Sequence, residues 1–226
     1  MPSKRASRKR DERTKKGSAH PTLVFNRDDR PKLLIVAGPN GAGKTTVFQD
    51  TVVQDVGRTV WIINPDFLAA RIRSVERLGS RKANLEAVRR IEKWLKTSIA
   101  AHQTIGVETV LSTAKYRKLV RAAKRMNFEI LLVYVLLKSP ELHVARVQLR
   151  VKKGGHAVPK NKILSRRKRS LEQLPWFLKH SDIAWLYDNS GAKPRLIGIK
   201  RNNLVLLDNS VALPEIAQAA GQSQAV

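Results

Sequence analysis

A glycine-rich segment early in the chain has the residue types and spacing of a phosphate-binding loop. It matches G-x-x-x-x-G-K-[ST] over Gly38-Pro39-Asn40-Gly41-Ala42-Gly43-Lys44-Thr45. An apolar run from Leu33 to Ala37 precedes it and a helical segment from Lys44 to Val53 follows, which is the context that such a loop requires. Glycines let successive backbone N–H groups turn toward an anion, and the start of a helix adds partial positive charge. This segment is therefore predicted to bind the polyphosphate of a nucleoside triphosphate.

Each side chain of the loop has an expected role. Lys44 should reach the terminal phosphoryl oxygens, and Thr45 should hold Mg²⁺ through its hydroxyl group. The expected cofactors are ATP and Mg²⁺, but phosphate contacts do not select the base. The predicted nucleotide-binding residues are Gly38, Pro39, Asn40, Gly41, Ala42, Gly43, Lys44, Thr45 and Thr46.

Polar residues follow two other predicted strands, where ligands of open α/β sheets gather. Asp66 lies just beyond the second strand, Thr59 to Ile63. It is placed to take a proton from an attacking hydroxyl or to help hold Mg²⁺, or else to cap a helix from Phe67 to Ile72. Glu108 and Thr109 end the third strand and could hydrogen-bond substrate hydroxyls. Ser112 is expected either to contact substrate or to cap the next helix.

A long basic stretch provides cations for phosphoryl transfer. No acidic residue occurs from Leu142 to Leu171, and the bend Gly154-Gly155-His156 divides this stretch into two helices that could close as a lid. Helical spacing puts Arg146 with Arg150, and Arg166 with Arg169, on common faces. Guanidinium groups bind phosphate with a fixed fork, so these pairs are favoured over the lysines, although any one of them could be a solvated charge. His156 is expected to be structural.

Alternating short apolar runs and longer amphipathic runs predict an α/β fold. We expect a P-loop kinase-like three-layer sandwich with a mostly parallel five-stranded sheet, a helical lid and a C-terminal hairpin. Residues 1–30 are expected to form a disordered basic arm, residues 31–210 the domain, and residues 211–226 a C-terminal tail whose last residues, AAGQSQAV, fray. The remaining predicted elements are strands Ile105–Val110, Ile130–Leu137 and Ile183–Tyr187, helices Asn84–Ala101, Lys115–Arg125, Pro140–Lys152 and Asn161–Leu174, and a hairpin of Leu196–Lys200 with Leu204–Leu207.

Composition limits the functional classes. The formal net charge of +26 attracts polyanions of any kind, so the basic arm is either a solubilising tail or a nucleic-acid-binding segment. The absence of cysteine excludes disulfides and thiolate chemistry and is compatible with the cytoplasm. No apolar run approaches the length of a membrane span, so no membrane association is expected.

Four blocks in order resemble the zeta toxin family from about Pro31 to Ser190. The block AGPNGAGKTT resembles the family's P-loop, INPDFLA its Asn-x-Asp segment and ETVLST its Glu-Thr-x-x-Ser segment, while RVKKGGHAVP with ILSRRKRSL resembles its lid. The run Tyr187-Asp188-Asn189-Ser190 resembles the family's closing strand. Several separated blocks in the right order are more specific than any one of them, which favours a kinase over a motor protein.

The resemblance implies ATP-dependent phosphorylation of a hydroxyl group on a small molecule such as a UDP-activated amino sugar. It implies Asp66 as the base, Arg150 and Arg166 on the transferring phosphate, and substrate contacts near Asn64, Glu108, Thr109 and Ser112. It also implies an antitoxin protein as a partner. Two other readings stay open at this stage: a nucleic-acid-associated or polynucleotide-kinase-like protein targeted by its basic arm, and a nucleotide-gated interaction protein with negligible turnover.

Overall fold

A seven-stranded sheet forms the centre of the computed structural model, which describes residues 29–51 and 62–224. Its strand order is β2-β3-β1-β4-β5-β6-β7; the first five strands run parallel, and β6 and β7 are antiparallel. The strands are β1 Lys32–Ala37, β2 Ile62–Ile63, β3 Ile105–Thr109, β4 Glu129–Leu136, β5 Ile183–Asp188, β6 Arg195–Arg201 and β7 Leu204–Leu207. The predicted α/β class and mostly parallel sheet are confirmed.

The predicted count of five strands was too low because the C-terminal hairpin does not stand apart from the sheet. Strand β6 pairs with β5 along its whole length, so the hairpin extends the parallel part at one edge. The first three residues of the predicted second strand lie outside the described residues.

Helices cover both faces of this sheet within the described parts of the chain. They are α1 Lys44–Thr51, α2 Pro65–Val75, α3 Ser80–Ala100, α4 Lys115–Arg125, α5 Pro140–Lys152, α6 Lys160–His180 and α7 Pro214–Gln224. The larger core lies under α3, α4, α6 and α7, whereas α1 packs on the opposite face. Strand β4 is buried at every residue, as expected for a central parallel strand between two helical layers.

Strand register brings three carboxyl ends together. Ala37, the last residue of β1, is level with Thr109 of β3 on one side and with Tyr134 of β4 on the other. Val36 is level with Glu108 in the same ladder. Residues that follow these strands therefore converge at one edge of the sheet, where α1 also begins.

Helix α6 is longer than its sequence pattern indicates. The sequence predicts a helix from Asn161 to Leu174, yet α6 continues through Pro175 to His180. A proline inside a helix removes a backbone hydrogen bond, but Phe177 and Leu178 are buried in the main core directly after it. Burial of these two side chains offsets that loss.

The C-terminal segment was expected to fray, and this prediction was wrong. Helix α7 extends to Gln224, buries Ile216, Ala219 and Ala220, and packs mainly against α6. Glu215 in its first turn accepts a 2.9 Å bond from Arg167, a residue of the basic stretch that is buried here and does not face the cleft. Small apolar residues and uncharged polar ones gave this helix too weak a pattern to recognise.

The arm predicted for residues 1–30 lies outside the described residues except for Asp29 and Arg30. Within the described ranges, no helix is both long and apolar enough to cross a bilayer.

Replacing Ile216 with Ala tests the packing of α7. Its side chain is fully buried, so the truncation should lower the free energy of unfolding by about 2–4 kcal/mol. Urea denaturation followed by circular dichroism measures the change. Gln218→Ala on the exposed side of the same helix is the matched control and should stay within about 0.5 kcal/mol of the parent. Equal free energies of unfolding for the two variants would mean that α7 does not pack against the rest of the domain.

Candidate active site

The phosphate-binding loop connects β1 to α1 and depends on glycine at specific points. Gly43 has a φ of 82°, and a Cβ atom there would lie 2.3 Å from the side-chain nitrogen of Asn189. Gly38 has a φ of 142°, and a Cβ atom there would lie 2.1 Å from the carbonyl oxygen of Val135. Both φ values disfavour a residue with a side chain, and the space for a Cβ atom is taken by the β4 backbone at Gly38 and by the Asn189 side chain at Gly43.

Lys44 is buried at the start of α1, with 8% of its surface exposed. Its ammonium donates to the carbonyl oxygen of Pro39 at 3.3 Å and lies 3.7 Å from the Oε1 atom of Glu108. Burial lowers the pKa of Lys44, and the carboxylates of Glu108 and Asp66 oppose that shift. The cation is therefore held within the loop, where a phosphate would meet it.

Glu108 connects the loop to the second strand. Its Oε2 atom accepts a 2.8 Å bond from the hydroxyl group of Thr45 and a 3.0 Å bond from the amide nitrogen of Asn64. The sequence predicted Glu108 only on the substrate side. Its contacts with Lys44 and Thr45 put its carboxylate on the phosphate side as well.

Asn64, not Asp66, caps helix α2. The Oδ1 atom of Asn64 accepts bonds from the backbone nitrogens of Asp66, at 2.9 Å, and Phe67, at 3.4 Å. The capping alternative for Asp66 is therefore wrong. Because Asp66 lies one residue inside the helix with its side chain exposed, its carboxylate is available to the cleft.

One cleft of about 1020 Å³ collects most of the predicted site residues at the carboxyl edge of the sheet. Of the predicted residues, it is lined by Asn40, Gly41, Lys44, Thr45, Asn64, Asp66, Glu108, Thr109, Ser112, Arg150 and Arg166. The other predicted residues of the loop do not line it, nor do two of the predicted arginines: Gly38, Pro39, Ala42, Gly43, Thr46, Arg146 and Arg169. Four further residues of the wall, Phe67, Arg73, Lys115 and Tyr116, were not singled out from the sequence.

The two hydroxyl residues after β3 have different surroundings. The hydroxyl oxygen of Thr109 accepts a 3.0 Å bond from the backbone nitrogen of Leu111, which fixes the turn. Helix α4 begins at Lys115 with Ala114 at its N-cap, so the capping alternative for Ser112 is wrong. The side chain of Ser112 instead belongs to the wall of the cleft.

The basic stretch forms the other side of the cleft through the end of α5 and the beginning of α6. Arg150 donates to the carbonyl oxygen of His156 at 3.0 Å across the glycine bend, where Gly154 has a φ of 84°. Arg166 donates to the side-chain oxygen of Asn40 at 3.4 Å, so this arginine already touches the phosphate loop. Arg146 lies outside the cleft and donates to the carbonyl oxygen of Gly191 at 3.4 Å.

His143 contacts the loop from behind and was missed in the sequence. It is fully buried on α5, where its Nδ1 atom lies 2.9 Å from the carbonyl oxygen of Asn40 and its Nε2 atom 3.3 Å from the backbone nitrogen of Leu137. Burial lowers the pKa of His143 to about 4, against the opposing effect of the hydrogen bond to Asn40. Its position on the same helical face as Val147 was the available signal.

The oxygen atoms beside the loop suit magnesium. Mg²⁺ takes hard oxygen ligands and is usually held by one or two carboxylates together with substrate phosphates and water. The Thr45 hydroxyl and the Glu108 carboxylate lie within 2.8 Å of each other and supply such oxygens. In the described residues there is no group of three or more His, Cys, Asp or Glu side chains fit to hold an ion, so the protein ligands would be few.

The fold and the loop together define the class of protein: a P-loop kinase fold with a two-helix basic lid. A sequence model of the zeta toxin family matches residues 18–189. A protein of Haemophilus influenzae whose function is uncharacterised is 30% identical over 129 residues, which are 56% of this chain and 86% of that protein. The chain belongs to the zeta toxin family.

Solved structures agree with this fold. The AvrRxo1-ORF1:-ORF2 complex with ATP superposes with a TM-score of 0.62 at 16% identity, covering 87% of this chain and 65% of that one. The PezAT chromosomal toxin–antitoxin system of Streptococcus pneumoniae superposes with a TM-score of 0.55 at 16% identity, covering 76% and 75%. This chain thus spans just under two thirds of the AvrRxo1 chain, and at these identities the likeness shows the fold alone.

The buried imidazole predicts a pH dependence of stability. The pKa of His143 falls from 6.5 to about 4 on folding, so below pH 6.5 the unfolded chain binds a proton that the folded chain does not. Stability should therefore fall as the pH drops through this window, by about 3 kcal/mol for the full shift.

Urea unfolding of the parent and of His143→Asn at pH 7 and pH 4.5 isolates this contribution. The variant should lose less stability between the two pH values than the parent does. His102→Asn, at an exposed position where Asn tolerates the local φ of 52°, is the control and should follow the parent. A parent and a His143→Asn variant with the same pH dependence would contradict the prediction.

Proposed function

We propose that this protein transfers the γ-phosphoryl group of ATP to a hydroxyl group of a small molecule. The observation that carries the proposal is the convergence of a buried lysine, a carboxylate and two arginines on one cleft: Lys44, Asp66, Arg150 and Arg166. A motor or a simple nucleotide switch needs the loop but has no need of a second, acceptor-sized space beside it. Membership of the zeta toxin family favours the same activity.

The reaction follows from where the charges lie. Asp66 accepts the proton of the acceptor hydroxyl as its oxygen attacks the γ-phosphorus, and the bond to the bridging β–γ oxygen breaks to release ADP. Lys44, Arg150 and Arg166 bear cations next to the position of the transferring group, and positive charge there stabilises the transition state. Thr45 would hold Mg²⁺ with the Glu108 carboxylate near it, and the bound ion would supply charge neutralisation at the phosphate oxygens.

We propose a UDP-activated amino sugar as the acceptor. The acceptor side of the cleft contains two cations, Arg73 and Lys115, and two aromatic side chains, Phe67 and Tyr116. Phe67 is 69% exposed, which leaves its ring free to stack on a base. Cations for a diphosphate and a ring for a base are what a nucleotide sugar requires. Asn64, Thr109 and Ser112 would bind its hydroxyl groups.

Two further features follow from family membership as proposals. PezAT is a toxin–antitoxin system, and AvrRxo1-ORF1 is solved together with ORF2. By analogy, we propose that an antitoxin partner binds this chain. We also propose that it acts in the cytoplasm, where ATP and nucleotide sugars are present.

Replacing Asp66 with Asn tests the assigned base. The amide keeps the size of the side chain but cannot take a proton at neutral pH, so kcat should fall by at least about 100-fold. The affinity for Mg-ATP should change by less than about threefold, because Asp66 lies on the acceptor side. ADP release measures the rate and calorimetry measures the affinity. Glu172→Gln, on the exposed side of α6, is the matched control. An Asp66→Asn enzyme with full activity would show that another group is the base.

A polynucleotide acceptor is the second candidate, and a row of basic side chains along helix α4 favours it. Lys115 lines the cleft at the start of this helix, and Lys118, Arg121 and Arg125 are exposed farther along it. These cations form a track that leads away from the acceptor side. A strand with its 5′-hydroxyl end in the cleft would place its phosphates along this track. The basic arm would add to the attraction.

Reversing the charge of two basic residues on α4 distinguishes the two candidate acceptors, the polynucleotide and the nucleotide sugar. If the substrate is a polynucleotide, Lys118→Glu combined with Arg125→Glu should lower kcat/KM for a 5′-hydroxyl oligonucleotide at least tenfold and weaken its salt dependence. Turnover of a nucleotide sugar should be unaffected. Lys93→Glu with Lys96→Glu on α3 is the control for net charge, and deletion of residues 1–20 measures the part played by the arm. Absence of oligonucleotide phosphorylation at low salt would remove this candidate.

A further inference from the structure

The carbonyl groups of the phosphate loop are held from outside by residues of two other elements. A phosphate is bound by the N–H groups of such a loop, so what fixes the loop's carbonyls determines where those N–H groups point. Two side chains, His143 of α5 and Asn189 after β5, contact carbonyl oxygens of this loop directly. Both are buried, and neither lines the cleft.

The hydrogen-bond partners of His143 determine its tautomer. The backbone N–H of Leu137 can only donate, so the Nε2 atom 3.3 Å away must accept and carries no proton. The proton of the neutral ring is therefore on Nδ1, which donates to the carbonyl oxygen of Asn40 at 2.9 Å. The imidazole thus links the end of β4 to the middle of the phosphate loop.

The hydrogen bond from His143 to the carbonyl of Asn40 also fixes the direction of the Gly41 N–H group, because the two groups belong to one planar peptide. In a trans peptide the C=O and N–H groups point in opposite directions, and the described residues contain no cis peptide. Because His143 holds the carbonyl of Asn40 toward α5, the N–H group of Gly41 points away from α5. Gly41 lines the cleft, so that side is where a phosphate would lie.

Asn189 acts on a second peptide of the same loop. Its side-chain nitrogen donates to the carbonyl oxygen of Ala42 at 2.8 Å. By the same geometry, the N–H group of Gly43 points away from Asn189. The Asn189 side chain also fills the space in which a Cβ atom of residue 43 would lie. Two of the loop's amides are therefore set by side chains that a ligand would not touch.

We propose that His143 and Asn189 are positioning residues that aim the N–H groups of Gly41 and Gly43 at the nucleotide phosphates before the nucleotide binds. The proposal rests on the nucleotide-binding part of the proposed function and does not depend on the acceptor. Donors that are already oriented need no reorganisation when the anion arrives, which is why a preorganised site binds it more tightly.

Substitution at His143 tests the proposal. His143→Leu removes the donor to Asn40, and the affinity for Mg-ATP and for inorganic triphosphate should fall about tenfold or more, since a hydrogen bond to a charged group is worth at least that much. His143→Asn retains a nitrogen donor at the δ position and should recover most of the loss. Asn189→Leu should weaken the same two ligands. The control His180→Leu removes a histidine that bonds only within its own helix, to Trp176, and should leave both affinities unchanged.

Calorimetry is done on each variant at a temperature where circular dichroism shows it folded, and melting temperatures are recorded separately. A purely structural role would lower the melting temperature of His143→Leu and leave its affinities equal to those of the parent, which would overturn the inference. Failure of the parent itself to bind Mg-ATP would refute the proposed function instead.

A measurement on the parent protein keeps the inference testable if His143→Leu does not fold. Nitrogen-15 NMR of the imidazole at pH 7 should show a neutral ring protonated on Nδ1, and this state should persist at pH 5.5. A neutral ring protonated on Nε2 and not on Nδ1 would exclude donation to Asn40 as the resting state and overturn the proposal.

Discussion

The rest of the site depends on a buried ammonium group at the start of α1. Lys44 is almost fully enclosed, and a buried charge is costly unless it is paired and hydrogen-bonded. Glu108 and the carbonyl of Pro39 provide those partners. Glu108 is in place because β3 pairs with β1 in a register that puts it level with Val36. The parallel ladder therefore stabilises the charge that the loop requires.

The same carboxylate organises the acceptor side. Glu108 also accepts a bond from Asn64, and Asn64 caps the helix that carries Asp66. A chain of contacts thus runs from Lys44 through Glu108 and Asn64 to the proposed base. Positions on three different strands and helices become mutually dependent, so a small shift of β3 would move the phosphate side and the acceptor side together.

Much of this arrangement could be predicted from local sequence, because local sequence determines it. The phosphate loop needs glycines at fixed spacing, and the strand before it is a continuous apolar run. Helical spacing selected the pairs Arg146 with Arg150 and Arg166 with Arg169 from the basic stretch, and the family resemblance then singled out Arg150 and Arg166. The shared cleft followed from the general position of ligands at the carboxyl ends of parallel strands.

The features that could not be predicted from the sequence depend on contacts between residues that are far apart along the chain. His143 is an ordinary polar residue in a helix until the fold brings Asn40 and Leu137 to its two ring nitrogens. Arg167 stands beside Arg166 in a run of cations, yet only the position of α7 decides that it is buried against Glu215. Helix α7 itself has small side chains, which pack well but give little periodic signal.

The adjacent residues Arg166 and Arg167 form hydrogen bonds in different directions from one turn of α6, Arg166 with Asn40 of the phosphate-binding loop and Arg167 with Glu215 of α7. That turn of α6 is therefore held between the loop and α7. A substitution that disturbs Glu215 is expected to shift Arg166 at the wall of the cleft as well.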